Sequence, residues 1–275
     1  MNYLIYVPKQ SGKEKTKMWE EQLNAAIEAG VKAIEGILKI YNSDFSVEIK
    51  DDNSPVTLAD KNADKVIREY LHAKFPDYAF LTEESTDDKS RLNNDFVWIV
   101  DPVDGTKDFV AKDGGFTTNI ALAYKHEAVV GVVVVPLTGE IYYAAKGLGA
   151  FYRKDGVSKR IHVNDKLTNL IVYESVFHSN PAEKAMYEKH KDKIAKVEKW
   201  GSALKPCRIA QGLGELSYRL TDGTKEWDTA ASQVIVEQAG GIYLKPNKER
   251  MMYNREDVKN HDGYIICNRI ENFLL

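Results

Sequence analysis

Two aspartates at the end of an apolar segment are the side chains of this sequence best suited to do chemistry. Residues 96–100 are continuously apolar, and the sequence Asp-Pro-Val-Asp-Gly-Thr follows at 101–106. Two carboxylates that lie close together at the end of a buried strand cost on the order of several kcal/mol when they are unpaired, and a hard cation removes that penalty. Pro102 and Gly105 favour a turn that aims both carboxylates inward, with the Val103 carbonyl as a further oxygen ligand. Oxygen ligands without His or Cys favour Mg²⁺ over Zn²⁺.

Further acidic positions lie where predicted strands end or predicted helices begin. Glu83 and Glu84 follow the short apolar segment 79–82, Asp60 lies near the start of one predicted helix, and Asp228 opens another. A helix N-terminus stabilises negative charge, either on Asp228 itself or on a nearby phosphate. Phosphate-monoester hydrolysis is among the slowest uncatalysed reactions, and two metals about 4 Å apart can activate water and stabilise the leaving oxygen. A lone pair of aspartates favours a solvated turn, whereas the four acidic sets together favour a metal-dependent phosphatase.

The first half of the chain has to position most of these acids. Apolar residues at steps of three and four predict a helix over 18–41, and a second helix over 57–74, capped by Thr57 or Ser54, stops before Pro76. Short strands follow, with a hairpin between the third and the fourth. These strands are predicted over 79–82, 96–100, 116–124, 129–135, 140–145 and 150–153.

The second half alternates strands and helices instead. Strands are predicted over 170–174, 197–200, 216–220, 242–244 and 263–267, and helices over 181–194, 202–212 and 226–239. The sequence therefore predicts an α+β N-terminal half, 1–163, with a mostly antiparallel sheet, and an α/β C-terminal half, 164–275. We expect the first half to bind metal and phosphate, the second to bind the rest of the substrate, and both to pack closely as one unit.

Composition excludes several classes of protein. The chain has 275 residues, of which 43% are hydrophobic and 29% charged, with a net charge of −3, as in ordinary globular proteins and unlike nucleic-acid-binding or polybasic membrane proteins. Its two cysteines do not suggest a disulfide framework. Residues 1–12 do not resemble a secretory signal, and the longest apolar run, 128–137, is too short to span a bilayer. We therefore expect a cytoplasmic protein.

The acidic sets, taken in order, resemble the motifs of the lithium-sensitive, magnesium-dependent phosphatase superfamily. That superfamily includes inositol monophosphatases, fructose-1,6-bisphosphatases and 3'(2'),5'-bisphosphate nucleotidases. Its pattern is an Asp, then Glu-Glu, then Asp-Pro-(Ile/Leu/Val)-Asp-Gly-Thr, then Trp-Asp-x-Ala-Ala. The corresponding positions here are Asp60, Glu83-Glu84, 101–106 and 227–231. The resemblance covers about residues 18–268 and implies a layered α-β-α-β-α sandwich of the inositol monophosphatase and fructose-1,6-bisphosphatase type.

The resemblance also implies roles for individual residues. Two or three Mg²⁺ ions are expected in each active site, with ligands from Glu83, Asp101, the Val103 carbonyl, Asp104 and Asp228. Asp60 and Thr106 resemble the pair that orients and deprotonates the attacking water, with Glu83 beside them. The backbone N–H groups of Gly105 and Thr106 are expected to contact the scissile phosphate, close to Asp104 and Asp228.

The residues that follow the metal motif resemble the bacterial nucleotidase branch, often called CysQ. Lys107-Asp108-Phe109 is similar to the DGTKEF of that branch, where inositol monophosphatases usually show DGTTNFVH. Residues 201–205 resemble its GSSLK, which implies that Ser202 and Lys205 hold a second substrate phosphate. Arg219 lies where the branch has a phosphate-contacting arginine, and Glu226 is expected to reach the ribose or base. Gly115 departs from the pattern, since it replaces the usual Glu.

The leading hypothesis is hydrolysis of 3'-phosphoadenosine 5'-phosphate to AMP and phosphate, and the sulfated precursor of this compound is a further candidate substrate. One alternative is a phosphatase for inositol or sugar phosphates. Another is a nucleotide-binding protein with negligible turnover, which the complete set of catalytic positions disfavours. The expected partner is a small phosphate ester rather than a nucleic acid polymer. Peripheral membrane contact, and the choice between monomer and homodimer, stay open.

Overall fold

The computed structural model describes residues 18–49 and 55–275, without the side chains of 55 and 56. Expectations about residues 1–17 and 50–54, including Ser54 as a helix cap, lie outside the described residues. Thr57 is the cap of the second helix, because its side-chain oxygen accepts a hydrogen bond from the Ala59 N–H at 3.1 Å.

Within the described ranges the chain forms helices and strands in alternating groups. The helices are α1 (Glu20–Tyr41), α2 (Leu58–Lys74), α3 (Thr106–Ala111), α4 (Pro181–Lys189), α5 (Leu204–Ala210) and α6 (Glu226–Gln238). The first strands are β1 (Glu48–Ile49), β2 (Pro55–Val56), β3 (Ala79–Thr82), β4 (Phe96–Asp104), β5 (Thr117–Tyr124), β6 (Glu127–Val135), β7 (Glu140–Ala145), β8 (Gly149–Lys154) and β9 (Val157–Ile161). The later strands are β10 (Leu170–Ser175), β11 (Ile194–Trp200), β12 (Leu216–Arg219), β13 (Thr224–Lys225), β14 (Ile242–Leu244), β15 (Lys259–Asn260) and β16 (Tyr264–Cys267).

The strands form two large mixed sheets and two short ribbons in this part of the chain. A seven-stranded sheet has the order β3-β4-β5-β6-β7-β8-β9, in which only the β3–β4 pair is parallel. A five-stranded sheet has the order β11-β10-β12-β16-β14, with β10 parallel to both of its neighbours. The β1–β2 and β13–β15 pairs are short antiparallel ribbons. The parallel β3–β4 pair places the ends of both strands at the same edge of the sheet.

Three hydrophobic clusters show that the sheets and helices form five layers. The first cluster packs α1 and α2 onto one face of the seven-stranded sheet, through residues such as Leu23 and Ile67. The second joins the opposite face of that sheet to α5, α6 and one face of the five-stranded sheet, with Ile235 among its buried residues. The third covers the outer face of the five-stranded sheet, where Met186 and Tyr187 of α4 pack. The expected α-β-α-β-α sandwich is therefore confirmed, and its division at residue 163 stays a prediction.

The structure differs from the predicted elements mainly where polar residues interrupt the apolar pattern. Strand β4 continues through Asp104 instead of ending at residue 100, because a register shift between Asp101 and Asp104 lets it pass the proline. Helix α4 ends at Lys189 rather than at 194, and β11 begins at Ile194 as an edge strand whose residues are half-buried or exposed. Helix α3 and strands β9, β13 and β15 were not predicted, because they are short or carry many polar side chains.

In the described part of the chain, none of the helices is both long and apolar enough to cross a membrane.

The close packing of α6 on the large sheet depends on a glycine. A Cβ atom built on Gly131 of β6 would lie 2.2 Å from the backbone oxygen of Ala231 in α6. We expect Gly131→Ala to destabilise the protein by about 1–3 kcal/mol, since one backbone would have to move away from the other. This change should lower the midpoint of urea unfolding.

Gly36→Ala is the matched control for this substitution. Gly36 is an exposed residue in the middle of α1, and a Cβ there would meet no atom within 4 Å. This change should stabilise the protein by up to about 1 kcal/mol, because alanine is the better helix former. Equal unfolding midpoints for Gly131→Ala and the unsubstituted protein would contradict the packing argument.

Candidate active site

The ends of β3, β4 and α6 meet at a cavity of about 490 Å³. The cavity is lined by an acidic set and a cationic set of side chains, which we call its acidic and cationic sides. Its acidic lining residues are Glu83, Asp101, Asp104, Asp108 and Asp228. Its cationic lining residues are Lys107, Lys205, Arg219, Lys225 and Lys259.

Strand β4 supplies the two central aspartates of the acidic side. Asp101 is buried, with 1% of its surface exposed, and it pairs with Asn119 in the register of β4 and β5. The Asp104 Oδ2 atom accepts hydrogen bonds from Asn119 Nδ2 and from the backbone N–H of Ala203, both at 2.9 Å. Strand β5 and the segment before α5 therefore fix the orientation of the Asp104 carboxylate.

Asp228 joins these two carboxylates from the first turn of α6. Its Oδ2 atom accepts a hydrogen bond from the Lys225 backbone N–H at 2.6 Å, which fixes the side chain at the helix N-terminus. One oxygen each from Asp101, Asp104 and Asp228 lies within 4.8 Å of the other two. The structure thus brings together three of the predicted metal ligands.

Burial and mutual repulsion make this cluster of three carboxylates unfavourable without a cation. Burial raises the pKa of Asp101 well above its usual range, and neighbouring carboxylates, Glu83 foremost, raise it further. Burial raises the pKa of Asp228 as well, and the negative charges of Asp104 and Glu83 raise it further, to about 8. Among the described residues, Asp101 Oδ1 is a buried oxygen with no hydrogen-bond partner. The donor set contains only oxygen, so these residues fit a hard divalent cation.

Glu83 and Val103 lie on either side of this cluster. The Glu83 N–H donates to the Val100 carbonyl at 3.2 Å, which extends the parallel pairing of β3 with β4 and places Glu83 in the cavity wall. Val103 buries its side chain in the first hydrophobic cluster, and its carbonyl accepts a hydrogen bond from Thr106 Oγ1 at 3.3 Å. Both residues therefore lie where the sequence expectation put them, while their roles as metal ligands stay a prediction.

Asp60 and Thr106 lie next to each other, although they are on different helices. The Asp60 Oδ2 atom accepts hydrogen bonds from the Thr57 N–H at 2.8 Å and from Thr57 Oγ1 at 2.7 Å. Thr106 Oγ1 lies 3.3 Å from the other oxygen of Asp60, Oδ1. Burial raises the pKa of Asp60, although the hydrogen bonds from Thr57 oppose that rise. The geometry is that of a buried carboxylate with one oxygen held by its own helix and the other directed at Thr106.

The residues expected to hold a second phosphate lie next to Asp104 in the structure. Ser202 has a positive φ of 47°, and its hydroxyl donates to the Asp104 carbonyl at 2.7 Å. Lys205 Nζ donates to the carbonyls of Ser202 at 2.8 Å and Trp200 at 3.2 Å, and it lines the cavity. Burial lowers the pKa of Lys205, while the charges of Asp104 and Asp108 oppose that change.

Gly105 is required by this packing. A Cβ atom at Gly105 would lie 2.1 Å from the Ser202 hydroxyl oxygen, and the residue has a φ of +87°. Glycine is the residue that tolerates both the close contact and the backbone conformation. It directly precedes α3, so the backbone N–H groups expected to contact the scissile phosphate lie at the cavity wall.

Arg219 lines the cavity, whereas Glu226 does not. The Arg219 Nη1 atom donates to the His178 carbonyl at 2.9 Å. The Nε atom of Arg219 is buried and has no hydrogen-bond partner among the described residues. Glu226 is fully buried, and its two oxygens accept hydrogen bonds from the backbone N–H groups of Asn254 at 2.6 Å and Arg255 at 2.9 Å. The structure therefore does not bring Glu226 to the cavity, because its carboxylate anchors a neighbouring segment instead.

Several cavity residues were missed or undervalued at the level of sequence. Asp108 is buried, and burial followed by repulsion from Asp113 and Asp104 raises its pKa to about 7. His178 precedes α4 and lines the cavity, where burial together with nearby cations lowers its pKa to about 4. Asp108 could have been suspected from its place in the motif. Lys225 and Lys259 carried no sequence signal, because the short β13–β15 ribbon brings them together.

Comparisons with known proteins agree with this geometry. Residues 18–272 match the family model described as the inositol monophosphatase family. A 3'(2'),5'-bisphosphate nucleotidase CysQ of Aggregatibacter actinomycetemcomitans is 32% identical over 238 residues, which cover 86% of this chain and 88% of the relative. The CysQ of Salmonella typhimurium is 35% identical over 226 residues, which cover 81% and 88%. The crystal structure of CysQ from Bacteroides thetaiotaomicron superposes with a TM-score of 0.80 at 34% identity, covering 92% of this chain and 99% of that chain.

The raised pKa of Asp228 predicts how the stability of the metal-free protein depends on pH. Below pH 8 the folded state binds a proton at this carboxyl that the unfolded chain, with a pKa of about 4, does not bind. Stability in EDTA should therefore fall as pH rises from 6 to 9. Because one pKa unit corresponds to about 1.4 kcal/mol, we expect the melting temperature to drop by about 3 °C or more.

Asp228→Asn should weaken this pH dependence, because it removes one of the carboxyls with a raised pKa. Asp155→Asn is the control, since Asp155 is an exposed turn residue in the left-handed region, which asparagine also tolerates. Thermal melts in EDTA at pH 6, 7, 8 and 9 would check both variants. A pH dependence that is equal in the unsubstituted protein and in Asp228→Asn would contradict the assignment.

Proposed function

Since this chain belongs to the inositol monophosphatase family, we propose that it removes the 3'-phosphate of 3'-phosphoadenosine 5'-phosphate, giving AMP and inorganic phosphate. The observation that carries the proposal is that one cavity is lined both by the carboxylate cluster of Asp101, Asp104 and Asp228 and by the cationic side chains of Lys205 and Arg219. The CysQ nucleotidases that resemble the chain over most of its length support the same substrate class. A substrate with two phosphates fits such a lining, because metal held by the carboxylates would bind one phosphate and the cationic side chains would bind the other.

The acidic side would hold two or three Mg²⁺ ions. The residues that would hold them are Glu83, Asp101, the Val103 carbonyl, Asp104 and Asp228. Bound divalent metal supplies water with a lowered pKa and stabilises charge on the leaving oxygen. The Asp101 oxygen that lacks a partner supports this assignment, because a buried acceptor of that kind needs a cation or a donor.

Asp60 and Thr106 would handle the proton of the attacking water. Thr57 occupies Asp60 Oδ2, so Oδ1 is the oxygen that faces Thr106 and can accept a proton. The raised pKa of Asp60 moves it towards the operating pH, which suits a general base. The N–H groups of Gly105 and Thr106 would bind the phosphate oxygens at the same wall of the cavity.

The cationic side would recognise the second phosphate. Lys205 is held by two backbone carbonyls and is attracted by Asp104, so its ammonium group has little freedom and loses little entropy when it binds an anion. Arg219 has a buried Nε without a partner among the described residues, and a phosphate oxygen would satisfy it. Ser202 would add its hydroxyl, and it also fixes the Asp104 backbone.

Location and assembly complete the proposal. Two cysteines in 275 residues suit a reducing compartment, and we expect the cytoplasm. A monomer and a homodimer are both compatible with the active site described above, because every residue assigned to it comes from one chain.

The substrate assignment is tested by phosphate release under Mg²⁺ from the adenosine bisphosphate and from inositol 1-phosphate. We expect faster turnover of the bisphosphate, and Asp104→Asn should lower that turnover by about 100-fold or more, because metal binding supplies several kcal/mol of transition-state stabilisation. Asp155→Asn should leave the rate unchanged. Faster turnover of the inositol ester would favour the inositol phosphatase alternative. Unchanged phosphate release in Asp104→Asn would show that the activity does not come from this site.

Lys205→Met tests the cationic side separately from the metals. We expect KM for the bisphosphate to rise by about 10- to 100-fold, because a buried charge-assisted contact to phosphate is lost. Adenosine 3'-monophosphate has no second phosphate, so its KM should change far less. Lys65→Met, at an exposed position of α2, is the control for the loss of a lysine. An equal rise in KM for both nucleotides would place Lys205 outside the second phosphate site.

A further inference from the structure

A buried chain of polar side chains joins the segment after Glu83 to the start of the helix that carries Asp228. Its members are at most 3% exposed, although they include an arginine and a glutamate, which are rarely buried unless they are paired. The members are Arg91, Asn254 and Glu226. None of the three lines the cavity, so substrate contact does not explain why they are buried.

Arg91 forms the first half of this chain. It lies eight residues after Glu83, in a short 3-10 turn that leads into β4. Its guanidinium donates to both oxygens of Asp87, at 3.0 and 2.8 Å, to the Asn254 side-chain oxygen at 2.8 Å, and to the Arg255 carbonyl at 2.9 Å. Arg91 therefore fixes the segment between Glu83 and β4 onto residues 254–255.

Glu226 forms the second half. Its Oε2 atom accepts from the Asn254 N–H at 2.6 Å, and its Oε1 atom accepts from the Arg255 N–H at 2.9 Å and from Arg255 Nε at 3.1 Å. Glu226 is the first residue of α6, and Asp228 follows two residues later in the same turn. The carboxylate of Glu226 therefore ties the helix N-terminus to the segment that Arg91 holds.

Asn254 is the point where both halves meet. Its side-chain NH₂ group donates to the Arg91 carbonyl at 3.2 Å, and its backbone N–H donates to Glu226. Its φ is +56°, and in this conformation its backbone N–H contacts Glu226 while its side chain contacts Arg91. No water is needed to complete the link, because each step is a direct hydrogen bond between buried groups.

The two ends of this chain are the two acidic segments that belong to different layers of the fold. Glu83 follows β3, at the edge of the seven-stranded sheet, and Asp228 lies on α6, between the sheets. Glu83, Asp101 and Asp228 line the same cavity, and the like charges of their carboxylates act to separate these segments when no cation is bound. A rigid buried link opposes that separation and keeps the ligands close before metal arrives.

We propose that Arg91, Asn254 and Glu226 are positioning residues that hold Glu83 and Asp228 at the separation required for metal binding, and so set the affinity of the site for divalent cations. The inference rests on the proposed metal site. It assigns Glu226 a role in the acidic side of the cavity, in place of a contact with the ribose or base.

Binding of Mn²⁺, measured by electron paramagnetic resonance of the free ion, tests the inference without using activity. Mn²⁺ is a suitable probe, because carboxylate, carbonyl and water ligands suit it as they suit Mg²⁺. Glu226→Gln places an amide NH₂ against backbone N–H donors, so at least one hydrogen bond of the link is lost. We expect the Kd for Mn²⁺ to rise by about 10-fold, while kcat at saturating Mg²⁺ changes less than the Mg²⁺ concentration for half-activation.

Glu237→Gln is the matched control on the same helix. Glu237 lies in the last turn of α6 and pairs with Arg250 at 2.7 Å, so this substitution also removes a carboxylate that holds α6 to a loop. It lies far along the helix from Asp228, and Mn²⁺ affinity should stay within about 2-fold of the unsubstituted value. Equal losses of affinity in both variants would overturn the proposal, because general loosening of α6 would then explain the effect.

Asn254→Gly is a second variant for the case in which Glu226→Gln does not fold. Glycine accepts the positive φ and keeps the backbone N–H, so only the side-chain bonds to Arg91 and Asn94 are lost. The Kd for Mn²⁺ should again rise, and a folded variant with unchanged affinity would overturn the proposal.

Asp228→Asn separates this inference from the proposed function. If Asp228→Asn leaves Mn²⁺ binding unchanged, the metal site itself is wrong, and the positioning role falls with it. If Asp228→Asn abolishes binding while Glu226→Gln and Asn254→Gly do not weaken it, only the positioning role is wrong.

Discussion

The repulsion among buried carboxylates at the end of β4 is the constraint on which the rest of the structure depends. Asp101 is buried, Asp104 and Asp228 are half-buried, and one oxygen of each lies within 4.8 Å of the other two, while removal from water raises the pKa of all three. Such an arrangement is unstable by itself. It persists because hydrogen bonds from the surrounding elements hold the carboxylates of Asp104 and Asp228 in place, and a cation would remove most of the remaining penalty.

The hydrogen bonds that fix these carboxylates come from more than one layer of the fold. Hydrogen bonds from β5 and from the segment before α5 fix Asp104, and the first turn of α6 fixes Asp228. Helix α6 is itself held between the two sheets, where a glycine of β6 allows its backbone to approach closely. The five-layer packing is therefore what gives a set of mutually repelling side chains a fixed geometry.

The fold and the acidic cluster could be predicted from the sequence to a large extent, and the reasons are specific. The apolar strand before Asp101 and the helical periodicity of α1 are local patterns. The family motifs indicated which acidic residues belong to one site. Glu226 and the β13–β15 ribbon could not be predicted in the same way. The burial of Glu226 depends on residues 254–255, which are remote in sequence, and each strand of the ribbon has two residues, too few for any periodicity. His178 could not be assigned to the cavity wall from the sequence either, since only the tertiary structure brings it there, near Lys107, Lys205 and Arg219.

The contact between Gly105 and Ser202 has an evolutionary consequence. The Ser202 hydroxyl occupies the space that a side chain at 105 would need, and it also holds the backbone of Asp104, which is 98 residues away in the sequence. A side chain at 105 is therefore opposed twice, by the hydroxyl that fills its space and by the φ of +87°, so a smaller residue at 202 would remove only one of the two obstacles. A change at Ser202 would also release the Asp104 carbonyl, and variation in the second half of the chain is thus constrained by the backbone of the first half.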